Sequence, residues 1–444
     1  MDSTRWRRDL RSVVTSGWLW LALWVLSRSW MLGRWSNHSK YLANDVNYYA
    51  FWLDRIPVDG LRHVMVEYPV PVVWILRLLY SFAVVPEAWM LVFGATMAAI
   101  DLGIACFLWR SVSRSAGVYW MSFTFANGAI MWFRFDLVPA AVVCVACVWL
   151  FSHPRASGAL IAVGAAIKLW PALLIAPLAA VHPFRRRSAS TLRLVWFAIV
   201  GASLALASLV ATGWTRTASP LGWQSDRGLQ VESVPATWLM FLHAFAKEAK
   251  WETFMSPYNA LELKGPGVEF WLRVADVATV GVAVFAALIT WRLWRRGQRD
   301  AGWDETSQAE AIVLAVLAII VAMIVANKTF STQYLLWVGG PIAALLTRSR
   351  SAWLQRPLRV VAGWSIALGL ATQYIYPWAY GPILRNPQGE PFATAVLVTR
   401  NLGMVWLCGY TIWLAWRATA TARSAHDALP RPDELVAPPP SQSR

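Results

Sequence analysis

Apolar and polar positions alternate along this chain in long blocks. Many apolar runs approach the ~20 residues that a helix needs to span a bilayer. The pattern predicts a first helix over about Ser12 to Met31. Further spans follow over Glu87–Trp109, Val118–Trp132, up to Phe151, and over Thr191–Gly213, Val268–Trp294, Ala309–Ala326, Leu335–Leu346, Leu358–Tyr376 and Ala393–Trp416. Two apolar stretches fit a full crossing poorly. Pro69–Val85 is short and carries Arg77. Gly158–Val181 is interrupted by Lys168-Leu169-Trp170-Pro171 and reads as two half-length helices meeting at the break. The stretch Ser39–Pro71 is polar and acidic, and reads as a loop holding a short interfacial helix over Ala50–Ile56. The fold expected is an all-α polytopic membrane protein of about 10–12 transmembrane helices, with juxtamembrane helices in the first loop. An integral domain over 1–417 would be followed by a disordered Pro/Ser-rich tail over 418–444.

Composition agrees with that class. The chain has 444 residues, 57% of them hydrophobic, and a mean hydropathy of +0.45, above the apolar share of ordinary soluble domains. Its formal charge of +16 would suggest nucleic acid in a soluble protein. Here the basic residues fall in short loops between apolar runs, so they report membrane orientation and not nucleic-acid binding. Arg5, Arg7, Arg8 and Arg11 place the amino terminus in the cytoplasm. The arginines after Trp109, Val181, Trp294 and Leu346 place those ends there too. The carboxy terminus follows, giving a multi-pass protein of the plasma membrane. The four cysteines all lie within apolar runs and read as helix packing.

This orientation gathers polar groups on the extracytoplasmic side. They are the Asp45 loop, Arg134 with Asp136, Lys168 at the helix break, Arg227 with Gln230 and Glu232, and Lys328 with Gln333. Only six of the 40 basic residues are lysines, so Lys168 and Lys328 beside apolar runs are conspicuous. Charged groups at membrane depth usually face a cavity and mark function. An aspartate can act as base or nucleophile, and arginine and lysine bind phosphate. One carboxylate beside several cations suits transfer from a lipid-phosphate donor, the cations stabilising the leaving phosphate. Other charges read as solvated: Asp54 with Arg55, Asp59 with Arg62, and Lys247, Lys250 and Lys264 with Glu248, Glu252 and Glu262. Two other classes fit the same residues. A transporter or flippase of an anionic lipid-linked sugar would use the broken helix, and a scaffold for envelope synthesis would use none of the chemistry.

Six motifs occur in order: Asp45-Val46-Asn47-Tyr48, Glu67-Tyr68-Pro69, Arg134-Phe135-Asp136-Leu137-Val138-Pro139, Lys168-Leu169-Trp170-Pro171, Arg227 through Ser233, and Lys328 through Tyr334. On them the chain resembles the GT-C superfamily of polyprenol-phosphate-sugar glycosyltransferases, and within it glycosyltransferase family 87. That family includes the actinobacterial α-1,2-mannosyltransferase that extends phosphatidylinositol mannosides, and an arabinofuranosyltransferase. The resemblance implies an inverting, metal-independent and cofactor-free transfer on the extracytoplasmic face. Its donor is a polyprenyl-phosphate sugar, with mannose first in line, and its acceptor a glycolipid or lipoglycan. It implies Asp45 as general base. Lys168, Arg227, Lys328 and Arg134 would bind the donor phosphate. Glu67, Tyr48, Tyr68, Gln230, Glu232, Gln333 and Asp136 would bind substrate. The chain departs from the family pattern at Tyr68-Pro69-Val70-Pro71, where the family has Tyr-Pro-Pro, and at Ser331-Thr332-Gln333, where it has Ser-Pro-Gln.

Overall fold

The structure is a computed structural model that describes residues 16–182, 185–225, 227–248, 250–257, 260–347 and 350–420. The basic stretch Met1–Arg11, Asp226, Arg348 and the tail beyond residue 420 lie outside the described residues. Helix α1 (Gly17–Trp35) is followed by α2 (Ser39–Asp59) and α3 (Val70–Tyr80). Next come α4 (Trp89–Ser111), α5 (Arg114–Asn127), α6 (Leu137–Val148) and α7 (Pro154–Ile167). Then follow α8 (Ala189–Thr212), α9 (Trp214–Ser225) and α10 (Thr237–Phe245). A hairpin of β1 (Glu252–Met255) and β2 (Leu261–Lys264) comes next, antiparallel, with Glu252 opposite Lys264 and Met255 opposite Leu261. The chain closes with α11 (Val268–Arg299), α12 (Glu305–Ala326), α13 (Leu336–Leu345), α14 (Gln355–Gln373) and α15 (Pro391–Ala418). The chain is an all-α polytopic membrane protein. Among the described residues, six helical segments are long and apolar enough to cross a bilayer: α4, α8, α11, α12, α14 and α15, some with flanking turns.

Burial sorts these helices. In α12 every residue from Glu310 to Ala322 is buried, as expected of a helix apolar on all sides. It packs against α11, α13 and α15 and forms the axis of the bundle. In α8 only 6% of the apolar window is buried, against 83% in α12, so α8 lies at the periphery facing lipid. Local signals set the boundaries. Ser113 accepts a hydrogen bond from Ala116 N–H to start α5, and Asp304 accepts one from Ser307 N–H to start α12. Glu390 caps α15 with Pro391 in its first turn.

Three sequence expectations change. The acidic stretch is mostly helix, since α2 begins at Ser39, not Ala50. Leu42, Val46, Tyr49 and Leu53 recur at helical spacing and bury one face. Gly60, at φ +73°, ends it. The first helix continues past Ser27-Arg28-Ser29 to Trp35, because Arg28 is satisfied inside the bundle. It pairs with Asp101 at 3.1 Å and donates to Met121 O at 3.0 Å, while Trp24 and Trp120 donate to the same aspartate. Finally, the polar segment before α11 holds a two-stranded hairpin, and Glu262 on it is buried, not solvated. Its neighbour Gly228 leaves room for that carboxylate; a Cβ there would collide with it.

The broken segment folds as its sequence suggests. Lys168 is extended at the end of α7, a 3-10 turn over Trp170–Leu174 follows, and a single turn of helix covers Ile175–Leu178. At 11 residues, α3 is too short to span at ~1.5 Å per residue.

Candidate active site

The break after α7, the α5–α6 junction, the start of α2 and the end of α12 all meet at one end of the bundle. Trp89, at the start of α4, donates to Val46 O at 2.8 Å and ties α4 to the same end. The opposite end is basic. Arg110, Arg114, Arg155, Arg299 and Arg417 sit on helix ends there. Ser113 donates to Leu346 O, Arg296 donates to Ala418 O, and Trp20 contacts Trp109, which brings those ends together.

A cavity of about 1270 Å³ opens at the first end. Asp45, Tyr48, Glu67, Tyr68, Arg134, Lys168, Arg227, Gln230, Glu232, Lys328 and Gln333 all line it. Asp136 is the exception and stands behind the wall. The expected Arg134/Asp136 pair does not form. Arg134 Nε instead binds Asp45 Oδ2 at 3.0 Å. Its terminal nitrogens donate to Tyr41 O, Leu42 O, Phe133 O and the Tyr376 hydroxyl. The guanidinium is therefore largely occupied in fixing the first turns of α2 and the Asp45 carboxylate. Asp136 holds Lys168 Nζ at 2.7 Å and accepts from Trp337 Nε1 at 2.8 Å. Lys168 lies over the rings of Tyr334 and Trp337, at 4.8 and 5.4 Å. Trp337 stacks between Trp170 and Tyr334. The lysine is thus held on an aromatic wall with its outer side toward the cavity.

Electrostatics separate the carboxylates. Burial pushes Asp45 above the usual carboxylate range; Arg134 and Lys168 pull it back, and Asp136 raises it further. About a fifth of its side chain remains open to the cavity. A carboxylate of raised pKa is the stronger base. Burial raises Glu67 as well, opposed by the hydrogen bond that Tyr48 donates to it. Glu232 is pushed up to about 7 by burial, with Arg400 and a Tyr380 hydrogen bond pulling the other way.

One side of the cavity is apolar. Leu173, Ala275, Val282, Ala283 and Met323 continue it along α11 and α12. The glycosyltransferase family 87 model matches residues 67–319, more than half of the chain. The chain belongs to glycosyltransferase family 87. As a member of the family it is a glycosyltransferase. Among curated proteins, none matches it. The matched stretch carries eight of the twelve expected site residues, from Glu67 to Glu232. Asp45 and Tyr48 lie before it, and Lys328 and Gln333 after it. The fold brings these flanking residues to the same cavity.

Several lining residues were missed from sequence. Lys40, Tyr41, Trp52, Asp276 and Tyr380 face the cavity. Asp276 carried a usable signal, an acid nine residues into an apolar span. The tyrosines carried none, since aromatic residues occur throughout this chain. Asp54 accepts from Tyr80, and Arg55 pairs with Asp59 at 2.6 Å, so these acids are local partners as expected, though with changed pairings. Tyr49 and Tyr68 share a hydroxyl contact at 3.3 Å, which seats Tyr68 against α2.

Proposed function

We propose that the chain moves a sugar, mannose in the first instance, from a polyprenyl phosphate to a glycolipid or lipoglycan acceptor, with inversion. The observation that carries this reading is one cavity holding a raised-pKa carboxylate, several cations and an apolar side within the membrane bundle. Asp45 takes the proton from the acceptor hydroxyl. The hydroxyl oxygen bonds to the anomeric carbon, and the bond from that carbon to the phosphate oxygen breaks. The phosphate leaves with the electron pair, and Lys168, Arg227 and Lys328 stabilise the charge that builds on it. Arg134 orients the base, and Asp136 fixes Lys168 and Trp337. Glu67, Gln230, Glu232 and Gln333 hold sugar hydroxyls, with Tyr48 and Tyr68 shaping the wall around them. The isoprenoid chain follows the apolar side along α11 and α12.

The arginine-rich end is cytoplasmic by the positive-inside rule. That puts both termini inside and the cavity at the extracytoplasmic face of the plasma membrane. A transporter reading is disfavoured, because the charges gather at one end of the bundle and not near its middle. The test is reconstitution into liposomes with radiolabelled polyprenyl-phosphate-mannose and a glycolipid acceptor. Label transferred to the acceptor supports the enzyme. Label that crosses the bilayer still attached to its polyprenyl phosphate, with no transfer, supports the transporter.

A further inference from the structure

Arg400 lies in α15, inside a membrane-crossing segment, and is 1% exposed. It does not line the cavity, yet its guanidinium reaches two segments that do. Nη2 donates to Glu232 O at 3.1 Å and stands 3.8 Å from Glu232 Oε2. The same group lies 4.1 Å from the centre of the Phe330 ring. Glu232 belongs to the segment that carries Arg227; Phe330 belongs to the segment that carries Lys328. The two segments are also joined to each other. Gln230 N–H donates to Lys328 O at 3.0 Å, and Gln230 Oε1 accepts from Phe330 N–H at 2.6 Å. Asn401, the next residue of α15, donates to Ser233 O at 3.1 Å.

A charge buried in a span is expensive to maintain and usually serves function. A guanidinium is suited to hold two surfaces at once, because its edge donates and its faces stack. We infer that Arg400 is a positioning residue that sets Arg227 and Lys328 in register as one phosphate cradle. Its effect reaches the substrate only through Glu232, Gln230 and Phe330. This inference rests on the proposed role of those cations.

The experiment uses the full-length protein in detergent and farnesyl phosphate as the probe, read by quenching of intrinsic tryptophan fluorescence; Trp170, Trp223 and Trp337 line the cavity. Arg400→Met should raise the Kd at least tenfold. Arg400→Lys should recover only part of this, since an ammonium keeps the charge but cannot bridge both segments. Phe330→Leu leaves every charge in place and should raise the Kd three- to tenfold, which keeps the test open if Arg400→Met fails to fold. Arg400→Met combined with Lys328→Gln should weaken binding by less than the product of the single effects. A wild-type Kd in folded Arg400→Met, full recovery by lysine, or an unchanged Kd in folded Phe330→Leu would overturn the cradle. If Lys328→Gln and Arg227→Gln also leave the Kd unchanged, the phosphate-binding reading itself falls with it. If they weaken binding while Arg400→Met does not, only the cradle falls.

Discussion

Replacing Asp45 by asparagine keeps the side-chain shape and removes both the base and the partner of Arg134. At 3.0 Å, an ion pair in an effective dielectric of about 20 is attractive by about 5.5 kcal/mol before desolvation is counted. Much less appears as stability. The asparagine oxygen still accepts from Arg134, and the guanidinium keeps its three backbone carbonyls and the Tyr376 hydroxyl. The expected loss is about 1–3 kcal/mol, below the 3–5 kcal/mol of an abandoned buried charge. The fold therefore survives while the chemistry does not. Loss of a general base lowers the rate by about 10²–10⁴-fold. The loss should fall on kcat, with donor KM changed little, because Lys168, Arg227 and Lys328 are untouched. Transfer in proteoliposomes from polyprenyl-phosphate-mannose measures this, with thermal unfolding as the control. The wild-type rate should also rise with pH through the raised Asp45 pKa, and that limb should vanish in the variant. Full transfer by a folded Asp45→Asn enzyme would refute the assignment of the base.

Lys168→Met removes a point charge from the proposed phosphate site and leaves Asp136 with Trp337; donor KM should rise about 10–100-fold, the scale of one charged hydrogen bond, in initial-rate measurements. Glu232 protonation makes folding pH-dependent. Because its folded pKa, about 7, lies above the ordinary 4.5, its contribution to stability is full below about 4.5 and is lost as pH rises through about 7. The slope is at most about 1.4 kcal/mol per pH unit, and Glu232→Gln should flatten the Tm–pH curve in that window. Gly158→Ala places a Cβ against the Arg193 carbonyl, where α7 and α8 meet. That backbone cannot yield locally, so Tm should fall by several degrees, whereas Gly103→Ala, with nothing near its Cβ, should leave Tm unchanged.

The sequence alone determined the membrane class, most span positions, the break at Lys168–Pro171 and nearly the whole set of cavity residues. These are legible because water and lipid act on each segment separately. A run of apolar residues, an arginine after a span or a proline within one has its effect whatever the rest of the chain does. Tertiary structure decided which charges are partners. Arg134 and Asp136 are two residues apart, but each faces a different distant group, Asp45 and Lys168. Arg28 sits in a helix where sequence would end the span, and becomes tolerable only because Asp101 and two indoles converge on it. Arg400 looks like an isolated charge in an apolar run until Glu232 and Phe330 close around it. The reason is the same in each case. The energy of a buried charge depends on atoms brought close by folding, and no local property of the chain reports which atoms those are.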